Sequence, residues 1–248
     1  MKLRLRATSL FILLLFLVLP TFLFAQKKRY NSLQSRFDIS SNSIFYPHSF
    51  KRGDLKMEVA LSQVKLPFDW LETAAQVPLF HFHANYALTK SITLDGRLST
   101  LVVANQITLG PRWHRQINNF SFNVGYDIAY AFGSLNVEGF DSSVSTWINY
   151  PNASFGFKIN DIAFTLKGEL NIVTSNESRQ GDIVISQDKN FYNGFTIGIY
   201  MEQRLWKDHV FIIGFKNSSA RYHFMAWPAF STFNRLYNIP EVYLGLIL

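Results

Sequence analysis

The chain has 248 residues, a formal charge of +7 at neutral pH and no cysteine, which excludes both a disulfide framework and a cysteine for lipid attachment. Its Lys and Arg residues are scattered rather than clustered, which argues against nucleic-acid binding. With 24 Phe, 11 Tyr and 5 Trp, the aromatic density suits girdles at two membrane interfaces, and the length suits a single all-β unit.

At the start, Lys2, Arg4 and Arg6 precede an apolar run from Leu10 to Phe24, and Ala25 is followed by Gln26, Lys27, Lys28 and Arg29. Charged, apolar and small residues in that order read as a secretory signal, and about 15 apolar residues fall short of the roughly 20 a spanning helix needs. The expected signal peptide is 1–25, and its removal takes three cations and lowers the formal charge from +7 to +4. Residues 26–54 show no period and hold Ser, Asn, Pro and Gly in turn-like clusters, so a periplasmic or plug-like lead-in is expected there.

From 55 onward the chain falls into alternating segments. The clearest is Phe120 to Phe132, where Phe120, Phe122, Val124, Tyr126, Ile128, Tyr130 and Phe132 alternate with Ser121, Asn123, Gly125, Asp127, Ala129 and Ala131. That period of two predicts a strand with one large apolar face and one small or polar face. Comparable segments run over 55–66, 79–88, 92–103, 107–116, 147–159, 162–173, 193–204, 209–217 and 239–248, ten in all. The ninth is nearly all apolar, so its facing stays open. These segments are longer than the usual five or six residues of globular strands and suit tilted strands crossing a bilayer. The fold class expected over 55–248 is an all-β, antiparallel, up-and-down transmembrane β-barrel of about ten strands.

The connections alternate in length. Those at 89–91, 117–119, 160–161 and 205–208 are tight. On the other side, 67–78, 133–146, 174–192 and 218–238 read as long loops, with 104–106 a short exception. Short periplasmic turns opposite long external loops are the asymmetry of outer-membrane barrels. The signal ending at Ala25, turns such as Thr89-Lys90-Ser91, the aromatic-rich strands and the last strand, VYLGLIL, together resemble a Gram-negative outer-membrane β-barrel protein. The chain departs from that pattern in ending on Leu248 rather than an aromatic residue. The resemblance implies residence in the outer membrane, with its lipid and the barrel-insertion machinery as partners.

If the apolar faces meet lipid, the opposite faces line the interior with Lys56, Glu58, His81, His83, Asp95, Arg97, Arg112, His114, Asp127, Lys158, Lys167, Glu169, Glu202, Arg204 and Glu241. Both signs are balanced, which favours a salt-bridge network across the lumen over a selective pore. A soluble core would have to bury these ions, at several kcal/mol for each one left unpaired. His81 and His83 with His114 could also bind a metal, but histidines among polar lumen groups are the plainer reading, and no metal or cofactor is expected. The Asp-x-His of omptin proteases and the His-x-Ser of outer-membrane phospholipases are both missing, so an enzyme is not expected. The loop 218–238 concentrates Tyr222, Phe224, Trp227, Phe230 and Phe233 and is the candidate external binding segment. The functional expectation is a structural or binding role through external loops, toward an extracellular ligand or protein partner. A small diffusion pore is the first alternative, and a lipid-active or proteolytic enzyme the second.

Overall fold

The structure, a computed structural model, describes residues 38–70, 76–137, 140–206, 209–227 and 235–248. The expected signal peptide and the first part of the lead-in lie outside them. Ten strands follow one another: β1 (Leu55–Lys65), β2 (Gln76–Ala87), β3 (Ile92–Thr100), β4 (Ala104–Ile117), β5 (Phe120–Val137), β6 (Phe140–Ile159), β7 (Ile162–Gln180), β8 (Ile183–Trp206), β9 (His209–Ala220) and β10 (Tyr237–Ile247). Each pairs antiparallel with its neighbours in sequence, and β1 closes on β10 from Glu58 opposite Ile247 to Val64 opposite Glu241. The fold is therefore a closed antiparallel barrel with no sheet edge through its girth.

Its two faces are dressed the opposite way from a soluble protein. Along β5, Ser121, Asn123, Asp127, Ala129 and Ala131 are buried, whereas Phe120, Val124, Tyr126, Ile128 and Phe132 are exposed on the outside. The same holds around the wall, from Leu61 and Phe80 to Leu166, Ile199 and Leu244. Large apolar side chains outward and polar ones inward is what hydrocarbon demands, and closure satisfies every backbone group that lipid could not.

Aromatic clusters mark the two interfaces. Toward the tight-turn end, Phe120 stacks on Phe157 at 4.9 Å and Trp113 meets Phe122 edge-on at 5.4 Å. Toward the other end, Tyr130 lies 4.8 Å from Trp147 and 5.5 Å from Phe132. Phe122 to Tyr130 is the nearer spacing and Phe120 to Phe132 the wider. At about 3.3 Å per residue and a tilt of about 40°, the girdles stand roughly 20–30 Å apart, which brackets an apolar band of about 25 Å.

The wall is uneven in height. The β4–β5 ladder ends where Ala104 meets Gly133, and the β8–β9 ladder where Gly194 meets Ala220. Between them β5 and β6 stay paired up to Val137 opposite Phe140, and β7 and β8 up to Gln180 opposite Ile183. Residues 134–137, 140–146, 174–180 and 183–193 thus form an open four-stranded sheet standing above the rim. This corrects the expectation of long loops over 133–146 and 174–192. Above the bilayer the outer face of the sheet meets water, and the inner face is covered only in part, Leu135 and Val144 packing on the lid, so nothing imposes large apolar residues at every second position and a Ser-, Thr- and Asn-rich hairpin looks like a loop. From Ser175, which pairs with Trp147 at the outer girdle, to Gln180 the sheet rises about 15 Å at about 3.3 Å per residue. The β3–β4 connection is tight, with Val102 in the left-handed region at φ 71°.

Candidate functional site

The inward positions of adjacent strands stack their charges into one connected layer. Asp127 on β5 accepts from Arg97 Nη2 at 2.6 Å and from Arg112 Nη2 at 3.0 Å. Arg112 on β4 also lies 2.7 Å from Asp95 Oδ1 on β3. The other Asp95 oxygen is 2.6 Å from His83 Nε2 on β2, and His83 Nδ1 is 3.1 Å from Glu58 on β1. Glu58 then accepts from the Tyr243 hydroxyl on β10 at 2.7 Å, which carries the chain of contacts across the closing seam. On the far wall Glu169 receives Lys167 Nζ at 2.5 Å and stands 3.6 Å from Arg97. Glu58, His83, Asp95, Arg112, Asp127 and Lys167 are all buried. Such ions remain stable inside only because each has an opposite charge and further hydrogen bonds.

Not every charge of the inward set joins this layer. His114 lies 2.6 Å from Thr93 Oγ1, and His81 sits between Ser62 and Ser99 at 2.7 and 2.8 Å, with Glu241 at 3.7 Å. Glu241 pairs with Lys216 at 2.7 Å. Among the described residues no three His, Asp or Glu side chains are arranged to hold a metal ion. Arg204 is half-buried near the tight-turn end of β8, where its backbone N–H meets the Asp161 carbonyl at 3.4 Å.

Glu202 and Lys56 serve a different element. Residues 38–54 form a strap against the tight-turn end of the lumen. Asp38 caps a one-turn helix, α1 (Ile39–Asn42), by accepting from Ser40 N at 3.0 Å. Beyond it the chain extends, and the Glu202 carboxylate accepts the backbone N–H groups of Ile44, Phe45 and Tyr46 at 2.7, 3.1 and 2.7 Å. Phe45 stacks on Tyr200 at 3.9 Å and meets Tyr243 edge-on at 5.8 Å. Lys56 donates to the Ser41 carbonyl, and Lys158 pairs with Asp38 at 3.2 Å. His48 is enclosed beside Phe50, with ring centroids 3.8 Å apart and Nδ1 3.0 Å from the Tyr46 carbonyl.

The other end is closed by the aromatic segment. Asn193 exchanges two hydrogen bonds of 3.0 Å with the backbone of Tyr222 and turns the chain inward after β9. In the 3-10 turn Phe224–Ala226, Phe224 packs on Ala129, Ala131, Ile148 and Val173, while Met225, Ala226 and the following Trp227 pack with Val64, Leu66, Trp70, Leu79, Tyr237 and Ile239 beneath the rim. Phe224 is 6% exposed and Trp227 1%. These two side chains therefore form a lid over the lumen rather than an exposed binding loop, because an apolar cluster at a barrel mouth loses more water contact by folding in than by projecting. Phe230 and Phe233 lie outside the described residues. Between lid and strap remains a polar cavity of about 130 Å³, bounded by Arg97, Glu169, Lys216, Glu241, Tyr200 and His223, a size and polarity suited to bound water.

The strap contacts and Lys216 had weak sequence signals. The amides of residues 44–46 leave no side-chain signature, and Lys216 lies in the strand whose apolar run hid its facing. Its pair with Glu241 settles that facing: Val210, Ile212 and Lys216 point in, while Phe211, Ile213 and Phe215 point out.

A closed ten-stranded wall, apolar outside and ionic within, defines a transmembrane β-barrel of the outer-membrane kind. No protein-family model and no curated protein matches the sequence. Among solved structures, the outer membrane protease OmpT from Escherichia coli is 11% identical, covering 79% of this chain and 93% of that chain with a TM-score of 0.41. Ail, the attachment invasion locus protein of Yersinia pestis, is 9% identical, covering 79% and 99% with a TM-score of 0.37. Outer membrane phospholipase A from Escherichia coli is 10% identical, covering 88% and 95% with a TM-score of 0.34. At these values the likeness concerns barrel architecture and says nothing of activity.

Proposed function

We propose that this chain is a binding or structural platform of the Gram-negative outer membrane, exported to it by the signal at its N-terminus, and neither a conduit nor an enzyme. The observation that carries the reading is the protruding sheet of β5 to β8. At its tip Ile183, Val184 and Ile185 are 70, 46 and 56% exposed, three consecutive aliphatic side chains held clear of the membrane where water penalises them. The blocked lumen supports the same reading, since strap, ionic layer and lid lie in series along the path a solute would take.

Contact would come through the tip and faces of the sheet rather than by strand addition. The free edge of β8 is interrupted by register shifts near Ile185 and by Asn190 at φ 52°, and it carries Asp188 and Lys189. Bulges and charges of this kind discourage edge pairing.

The test uses whole cells carrying either the intact protein or a form with residues 177–187 replaced by Asn-Gly. Adherence to alkyl-coated and protein-coated surfaces falls with the trimmed hairpin if the reading holds. Equal adherence on every surface, or discrete conductance of the intact protein in planar bilayers, overturns it.

A further inference from the structure

Backbone hydrogen bonds gather four exposed cations into one sector of the tight-turn rim. Phe50 N donates to Lys90 O at 3.1 Å and Gly53 N to Ala87 O at 2.8 Å, so Lys51 and Arg52 of the strap lie beside Lys90 in the β2–β3 turn. His114 N donates to Ser91 O at 2.8 Å, which brings Arg115 of β4 to the other flank of that turn. All four side chains are exposed. Asp54 is the carboxylate of the same segment, and it accepts from the Lys51 backbone at 3.1 Å. The ion pair of Lys158 with Asp38 belongs to another sector of the rim. Four cations against one carboxylate leave a local excess of positive charge.

The placement of Arg115 says where that charge acts. Arg115 shares the outward face of β4 with Trp113 and Ile117, both exposed, and stands opposite Phe122 in the ladder. Trp113 and Phe122 form the girdle contact at this end. An arginine on the lipid-facing side at girdle level lays its stem along hydrocarbon and lifts its head to the phosphates. We propose that Lys51, Arg52, Lys90 and Arg115 form a binding site for the phosphate headgroup of an anionic phospholipid in the periplasmic leaflet. The tight-turn end is the periplasmic end of such barrels. A cell-wall polymer offers anions too, but it does not reach the hydrocarbon-facing side of β4. The inference rests on the membrane placement of the barrel and goes beyond the platform reading, which concerns the opposite end.

The test refolds the protein without residues 1–25 into phosphatidylcholine vesicles and follows Trp113 emission, taken as the difference between wild type and Trp113→Phe. Brominated-chain phosphatidylglycerol and brominated-chain phosphatidylcholine are compared as quenchers at equal mole fraction. A Lys or Arg near a charged bilayer surface is worth about fivefold in lipid affinity, so phosphatidylglycerol is favoured on the order of tenfold or more. The preference falls toward one in K51Q/R52Q/K90Q/R115Q, falls several-fold in R115Q alone, weakens with salt, and is untouched by R179Q at the far end. A preference of one in wild type, or a preference unchanged in the fourfold variant, overturns the proposal. Retention on purified cell-wall sacculi that is lost in the fourfold variant, without a lipid preference, likewise overturns it in favour of the polymer. Failure is separable from failure of the barrel reading: a wild-type band that does not shift between unboiled and boiled gel samples sinks both, whereas a shifted band with no lipid preference sinks only this site.

Discussion

Replacing Glu202 with Ala removes the acceptor shared by three buried backbone N–H groups, those of Ile44, Phe45 and Tyr46 at 2.7, 3.1 and 2.7 Å. A buried donor left without a partner costs about 1–3 kcal/mol, so the three together cost about 3–9 kcal/mol if the strap stays docked. What still holds the strap is burial of Ile39, Ile44, Phe45, Tyr46 and Phe50, the pair of Lys158 with Asp38, and the backbone bonds from Phe50 and Gly53 to Lys90 and Ala87. Burial of each large apolar side chain contributes about 1.5–3 kcal/mol and a partly exposed ion pair about 1 kcal/mol or less, so together these contacts match or exceed the loss. Residues 44–46 are therefore expected to open locally, with Ile39 and Phe50 still seated and the barrel, held by its own ten ladders, closed. In hydrogen exchange of the detergent-solubilised protein, the amides of residues 44–46 should exchange at least about 100-fold faster, since each 1.36 kcal/mol is a factor of ten. Amides in the middle of β5 should be unchanged. Glu202→Gln, which keeps one acceptor oxygen but turns an NH2 toward the donors, should fall between. Wild-type exchange at 44–46 in Glu202→Ala would refute the clamp, and simultaneous loss of protection in β5 would show that strap and barrel are one cooperative unit.

Trp227→Ala, at the centre of the lid, should cost about 3–5 kcal/mol, read as a lower urea midpoint for loss of the heat-modifiable form. Combined with Glu202→Ala it should still show no steady conductance, because the ionic layer remains. Arg97→Met leaves Asp95, Asp127 and Glu169 with one cation fewer and should destabilise by about 3–5 kcal/mol, measured as the shift in denaturant midpoint; a shift under about 1 kcal/mol would mean Arg112 and Lys167 carry the layer without it. Gly194→Ala drives a methyl into the Ser219 carbonyl oxygen at a backbone φ of +152°, so the end of the β8–β9 ladder should open, seen as faster exchange around residues 218–220. Burial pushes the His48 imidazole from its ordinary 6.5 down to about 3, with the hydrogen bond to the Tyr46 carbonyl opposing the shift. The released strap therefore takes up a proton that the docked strap refuses: docking is full above about pH 6.5 and weakens toward pH 3, by about 1.4 kcal/mol per unit. Exchange at 44–46 should accelerate about tenfold per pH unit more in wild type than in His48→Gln, after correction for intrinsic rates.

The ten strands could be read from the sequence because lipid enforces the pattern: wherever the wall crosses hydrocarbon, every second side chain must be large and apolar. Where that constraint lapses the reading lapsed too. Residues 134–137, 140–146, 174–180 and 183–193 form strands above the membrane, and their Ser, Thr and Asn content carries no period. The apolar run of β9 concealed its facing for the opposite reason, since Val210 and Ile212 point inward among contacts at the strap end. The charges could be assigned to the inner face from parity alone, but not to partners, because Arg97 reaches Asp127 two strands away and Glu169 on the far wall. Density of aromatics in 218–238 was equally compatible with a lid and with an exposed surface. Only the turn at Asn193, invisible in composition, decides between them for Phe224 and Trp227.

Sealing and display are linked by the same piece of chain. The β8–β9 ladder stops at Gly194 because the segment after Ala220 turns in to form the lid, and that departure leaves residues 183–192 without a strand partner on one side among the described residues. Had the chain continued along β8 instead, Asn193 would bond to a strand, the mouth would lose Phe224 and Trp227, and the outer sheet would gain a fifth strand in place of a free flank. Closing the mouth with residues 221–227 therefore leaves the β7–β8 hairpin exposed, and the two hydrogen bonds between Asn193 and Tyr222, with that from Arg221 N to the Asn193 carbonyl at 2.9 Å, fix where the chain turns from wall to lid.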